Sequence, residues 1–217
     1  MTQTYGAGEP PETGVPLVAI YADESCLGNG RLGANPGGAA GVIEHRSRLT
    51  GRMTRWDYWV SEAATTNNRM ALRSVIEAFG LISRRGTRFR VVFTSDSRYL
   101  IDGMNQWVHD WIRRGWRRKE GTVENVDLWK QAVEAARPHQ RQWRWVRGHV
   151  GHAQNEYANH LATRAAREQT ASGGVVESQF DEWLAAERSR GKVRAEPEPF
   201  PNDADFVAAR SFPPAND

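Results

Sequence analysis

The sequence predicts an α/β fold, on three observations. Leu17–Tyr21 and Val91–Phe93 are short, continuous apolar runs with β-branched and aromatic residues, the pattern of central strands buried on both faces. Each run leads to an aspartate, Asp23 and Asp96, where core-type residues give way to polar loop. Helical patterns separate and follow them, in RMALRSVIEAF and in a stretch beginning near Gln154.

In chain order, residues 1–14 are polar with Pro and Gly and are expected to be disordered. The first strand then delivers Asp23, and the Val91–Phe93 strand delivers Asp96. If the two strands are neighbours in one sheet, these acids come within a few ångström of each other. Two anionic oxygens so close repel unless a cation lies between them, which points to a hard divalent metal, Mg²⁺ or Mn²⁺. An aspartate after a strand is equally a helix N-cap, and the residues alone leave both readings open.

The T-T-N-N turn offers Thr66 or Asn67 as the cap of the helix that follows. Further on, W-V-H-D-W-I-R-R-G-W-R-R-K places Trp107, Trp111 and Trp116 at helical or near-helical spacing among Arg113, Arg114, Arg117, Arg118 and Lys119. Such cations neutralise phosphates and release counterions, and an exposed aromatic face stacks on sugars or bases. Trp111 and Trp116 read as packing, Trp107 and the arginines as binding groups. The strand WRWV leads into the glycine-flanked loop G-H-V-G-H, which carries His149 and His152 and which its glycines make pliable.

Residues 168–217 form an extension. Phe180, Trp183, Leu184 and Ala185 would make one face of a short helix near 178–188, before a Pro-rich, acid-rich end expected to be disordered; the extension's apolar residues either pack on the domain or stay loose, readings favoured over a partner site. The chain has 217 residues, enough for one domain plus such extensions, and 25% charged with 39% hydrophobic residues is ordinary for a globular protein. A sequence pI near 9.3 suits a polyanionic partner. The single Cys26 excludes an internal disulfide. No apolar stretch approaches the roughly 18 residues of a membrane span and no signal-peptide core opens the chain, so the expectation is a cytoplasmic monomer without membrane contact.

In order and spacing, YADESCLGNG, NPGGAAGVI, TTNNRMALRSVIEAF, FTSDSRYLIDGMNQW, NVDLW and WRWVRGHVGHAQNEYANHLA resemble the blocks of the bacterial type 1 ribonuclease H family, over residues 15–167. The resemblance implies a five-stranded mixed sheet flanked by helices, with a basic protrusion. It also implies cleavage of the RNA strand of RNA/DNA hybrids to a 3′-hydroxyl and a 5′-phosphate, with two divalent ions held by four carboxylates. Asp23 and Asp96 fall on two of those acids, but the family's glutamate falls on Ala71 and its fourth acid on Asn159. Asp23, Asp96 and a neutral Asn159 carry a formal charge of minus two, where the family has minus four. Losses even in the outer shell of a metal site cost about 10 to 100-fold, so affinity should fall unless substrate phosphate oxygens or another acid step in. Glu24 is disfavoured because alternation along a strand sends it to the face opposite Asp23. Glu62 lies far along the chain from position 71, and Glu156, one helical turn before Asn159, is the more plausible reserve.

The resemblance further implies that His149 exchanges protons with the attacking water or the leaving oxygen, a role suited to an imidazole that titrates near neutrality. A histidine that only hydrogen-bonds backbone is the alternative, and His152 is read that way. Asn29, Thr66, Asn67, Asn68 and Arg98 match positions that touch the minor groove and the backbones, where amides and hydroxyls can read 2′-hydroxyls. Trp107, Arg113 and Arg114 belong to the protrusion that grips the DNA strand, and Trp129 to a position that sets the protrusion, although most tryptophans so placed are buried anchors. Two functions follow: a metal-dependent endoribonuclease on hybrids, or a hybrid-binding protein with little hydrolysis, for which Ala71 argues. The T-T-N-N block and the protrusion argue against another nuclease or an integrase.

Overall fold

A computed structural model describes residues 14–28, 35–118, 121–148 and 150–214. The expected disordered tail 1–14 lies outside them except for Gly14, as do Asn29, Lys119 and His149.

Three antiparallel strands come first: β1 (Leu17–Cys26), β2 (Gly37–Arg46) and β3 (Met53–Glu62). After helix α1 (Asn67–Ser83) the chain returns in β4 (Arg90–Ser95), parallel to β1. Helix α2 (Arg98–Asp102) passes through a π-helical turn, Gly103–Trp107, into α3 (Val108–Arg113). Helix α4 (Val126–Ala136), β5 (Gln140–Trp145, parallel to β4) and α5 (Ala153–Glu168) complete the family-like part. The extension adds β6 (Val176–Glu177) and α6 (Phe180–Ser189). The sheet order is β5-β4-β1-β2-β3-β6. It is therefore mixed, as expected, but among the described residues it has six strands rather than five, because two extension residues pair with the edge of β3.

Strand alternation divides the core into two layers. Val18, Ile20 and Ala22 point to the face covered by α1 and α4, in a cluster with Ala71, Leu72, Phe79 and Trp129. Ala19 and Tyr21 point to the other face, with Tyr157 and Leu161 of α5 and Phe180 and Leu184 of α6. Helix α5 lies close on β2 because position 38 is glycine: a Cβ there would collide with the Ala162 carbonyl oxygen.

Of the two readings favoured for the extension, the structure shows packing. Helix α6 forms where expected, with Phe180 and Leu184 buried, but Ala185 is exposed rather than part of the apolar face. Beyond it the chain packs on the domain: Phe206 and Phe212 are buried, and the Ala209 N–H donates to the Arg141 carbonyl of edge strand β5 at 2.6 Å. Burying aromatic side chains, at about 1.5–3 kcal/mol each, offsets the ordering of a Pro-rich segment that composition alone marks as loose. The extension thus covers both sheet edges, which otherwise present unpaired backbone groups.

Candidate active site

Strands β1 and β4 are parallel neighbours in the register Tyr21↔Thr94, so Asp23 and Asp96, each two residues further on, leave the same end of the sheet side by side. Neither is a helix cap, since Ser97 rather than Asp96 occupies the N-cap of α2, and Asp23 lies inside β1, which runs on to Cys26.

Glu24 joins them. Carboxylate oxygens of Asp23, Glu24 and Asp96 all lie within 4.8 Å of one another. Alternation does send Glu24 away from Asp23, yet that expectation missed which helix covers each face. Glu24 continues the row Val18, Ile20, Ala22 on the α1 side, the side from which a glutamate at position 71 would reach the site. Pairing of β1 with β4 stops at Tyr21, while pairing with β2 runs on to Cys26, so the β4-side edge of β1 is open at residues 23 and 24. There the turn after β4 brings Asp96 and Ser97 against acids from both faces. Ala71, where the family has its acid, is fully buried in the core. The formal charge is therefore minus three, not two. Glu62 is occupied elsewhere, bonding Arg73 at 3.1 Å. Glu156 is outside the cluster and adds the smallest of the repulsions on Asp23.

Burial raises the Asp23 carboxyl well above its ordinary range, and repulsion from Glu24 and Asp96 adds to this. Burial likewise lifts Glu24 to about 8, with Asp96 contributing and a Ser97 hydrogen bond opposing. Three hard oxygen donors held this close bind protons tightly when alone and suit a divalent cation.

Both Asp23 oxygens are oriented. Oδ1 accepts from the Glu24 N–H at 2.7 Å and Oδ2 from the Asn155 side chain at 3.2 Å. Asn155, at the start of α5, is buried and escaped the sequence reading. Only its spacing four residues before Asn159 hinted at a shared helix face. Asn159 itself is half-buried one turn further along. The loop after β5 runs against Asp96, for a Cβ at Gly148 would collide with the Asp96 carboxylate. The Trp145 indole N–H donates to the Asp96 carbonyl at 3.0 Å and lies under the Arg98 guanidinium at 3.8 Å. His152 caps α5, its Nδ1 accepting from the Asn155 N–H at 3.3 Å.

Thr66 is the cap of α1, accepting from the Arg69 N–H at 3.3 Å. Asn67 is half-buried, and Asn68, exposed, shares an open cavity of about 490 Å³ with Tyr99, Trp107, Arg114 and Arg118. The T-T-N-N turn and the protrusion thus line one cavity. Trp107 is 37% exposed, whereas Trp111 and Trp116 are partly buried against the core. Arg113 is ion-paired with Asp110. Trp129 is fully buried and donates its indole N–H to the Tyr99 hydroxyl at 2.8 Å, so it supports the protrusion from beneath and does not reach a ligand. Its expected place among the substrate-binding residues is corrected accordingly.

The RNase H family model matches residues 16–167. Ribonuclease H of Shewanella halifaxensis is 40% identical over 155 residues, 71% of this chain and 88% of that protein. Ribonuclease H of a Sulfurovum species is 41% identical, over 71% of this chain and 94% of its own. Among solved structures, LC9-RNase H1, described as a type 1 RNase H with the type 2 active-site motif, superposes with a TM-score of 0.86 at 58% identity, covering 94% of this chain and 96% of that one.

Proposed function

This chain belongs to the ribonuclease H family, and from that premise we propose a site in which Asp23, Glu24 and Asp96 are the anionic metal ligands and Asn159 a neutral one. The chain is an endoribonuclease that hydrolyses the RNA strand of RNA/DNA hybrids. The observation that carries the site is the convergence of the three carboxylates, because it supplies the third acid that Ala71 lacks. The hybrid-binding alternative rested on that lack and loses its main support.

Asp23, Glu24, Asp96 and Asn159 would hold Mg²⁺ or Mn²⁺, two ions with substrate bound, and bound divalent metal would supply Lewis-acid activation of the scissile phosphate and of water. The protein's part is orientation and proton handling. The Glu24 N–H and the Asn155 amide fix the Asp23 carboxylate, leaving its remaining lone pairs for the cation, and Asn159 offers its carbonyl from the same helix face. His149 exchanges protons with the attacking water or the leaving 3′-oxygen. Asn68, Trp107 and Arg114 bound the cavity that takes the hybrid backbone, Thr66, Asn67 and Arg98 extend this contact, and Asn29, outside the described residues, is assigned to the hybrid by its match to the family position alone. Arg113 adds charge from the protrusion rim.

The test is cleavage of end-labelled RNA/DNA hybrid across Mg²⁺ and Mn²⁺ concentrations by the parent, Glu24→Gln and Asp96→Asn. We expect the parent to cut only the RNA strand and both variants to lose at least about 100-fold, the upper end of outer-shell losses being a floor for a ligand. Parental activity in Glu24→Gln would remove Glu24 from the ligand set, and an inert parent would restore the binding-only reading.

A further inference from the structure

The segment after α6, outside the family-matched region 16–167, places one carboxylate between β5 and α5. Glu198 bonds Arg144 through both terminal guanidinium nitrogens, Nη2 to Oε2 at 2.8 Å and Nη1 to Oε1. Its Oε2 also meets His152 Nε2 at 2.6 Å. Its backbone pairs with the fully buried Gln154 side chain: Glu198 N–H to Gln154 Oε1 at 3.0 Å, and Gln154 Nε2 to the Glu198 carbonyl at 2.8 Å. One residue therefore holds the end of strand β5 on one side and the first turn of α5 on the other.

These anchors bracket the loop that approaches the active carboxylates. Arg144 also donates to the Thr94 hydroxyl at 3.1 Å, two residues before Asp96. Because His152 Nδ1 accepts from the Asn155 N–H, its proton must sit on Nε2, which donates to Glu198. The imidazole is thereby fixed in one tautomer, its ring 5.5 Å from that of Tyr21, and it holds Asn155 in the first turn of α5, from which the Asn155 amide reaches Asp23. Between the anchors, Gly148 lies against Asp96. A carboxylate that ties both ends of a short loop removes conformations the loop would otherwise sample. Burial pushes the Glu198 carboxyl up, but the bonds from His152 and Arg144 outweigh this and hold it below its ordinary value, so it is ionised at neutral pH.

We propose that Glu198 is a positioning residue for hydrolysis: by stapling Arg144 to His152 it holds the β5–α5 loop against Asp96 and the Asn155 amide on Asp23. This rests on the site assigned above. The C-terminal extension is then part of the working enzyme as well as a cover for the sheet edges.

The experiment compares the full-length parent with Glu198→Ala, Glu198→Gln and Phe212→Ala. Phe212 is buried in the same extension but packs on Arg141, 4.3 Å from its guanidinium, and is a control for loss of stability alone. At a temperature where all four are folded by circular dichroism, Glu198→Ala should lower kcat about 10-fold, at the weak end of outer-shell effects, with KM for the hybrid unchanged within about twofold. Glu198→Gln keeps one acceptor oxygen where two were used and should fall between. Phe212→Ala should lower the melting temperature at least as much, yet keep the parental kcat. Amide hydrogen exchange over residues 146–155 should quicken in Glu198→Ala and not in Phe212→Ala. Unchanged kcat in Glu198→Ala, a kcat loss equal to that of Phe212→Ala, or unaltered exchange in that loop would each overturn the proposal. An inactive parent, or an active Asp96→Asn, would instead mark failure of the site assignment, which the exchange measurement does not depend on.

Discussion

The Asn155 amide donates to Asp23 Oδ2 at 3.2 Å across 132 residues of chain, tying the first turn of α5 to the end of β1. It is the direct contact through which a helix on one face of the sheet sets the orientation of a carboxylate that the sheet itself supplies. Asn155→Ala should therefore lower kcat and weaken metal binding by about 10 to 100-fold while leaving hybrid affinity near the parental value. Single-turnover rates against Mg²⁺ concentration measure this, and a parental rate at limiting Mg²⁺ would refute it.

Glu24 and position 71 address the site from the same side of the sheet. A glutamate returned to position 71 should in part replace one removed from position 24. Glu24→Gln alone should lose at least about 100-fold in rate, and the pair Glu24→Gln with Ala71→Glu should recover part of it. Ala71 is fully buried, so Ala71→Glu should also lower the melting temperature of the metal-free protein, and added Mn²⁺ should return it. No recovery at any metal concentration would mean that Glu24 works from a position α1 cannot reach.

The acid cluster also sets a pH dependence. In the folded, metal-free protein burial and Asp96 raise Glu24 from 4.5 to about 8, so the folded state binds this proton more tightly than the unfolded one. For a raised acid, the stability it contributes is complete below about pH 4.5 and is lost progressively as pH climbs toward 8. Glu24→Gln cannot lose a proton and should gain melting temperature relative to the parent as pH rises from 5 to 8 in EDTA. Mg²⁺ should narrow that gap at pH 8, and binding should release protons, strengthening as pH rises. Parallel melting curves for the two proteins over this range would contradict the assignment.

Arg114 lines the cavity beneath the protrusion, whereas Arg113 is engaged by Asp110. Arg114→Ala should weaken hybrid binding and reduce the slope of log affinity against log salt by about 1. Arg113→Ala should change the slope less. Fluorescence anisotropy with an uncleavable hybrid, from low to high NaCl, separates the two, and equal slopes would place both arginines on phosphates.

Local sequence determined a good deal of this protein. Apolar β-branched runs ending in Asp23 and Asp96 mark buried strands because such runs have few other stable places, and the T-T-N-N turn offers Thr66 or Asn67 as the cap of its helix, of which the fold uses Thr66. Trp107 stands exposed among arginines while Trp111 packs, as the sequence reading has them. Tertiary structure decided the rest, because the deciding contacts join residues with no local relationship. Glu24 was set aside on alternation, a rule that states which neighbours part company but not what covers each face or where a partner strand stops. Asn155, and Glu198 with its bonds to residues 46 and 54 positions away, leave no periodic trace. An acidic, Pro-rich segment reads as loose until a folded surface presents an arginine, a histidine and a buried amide to receive it.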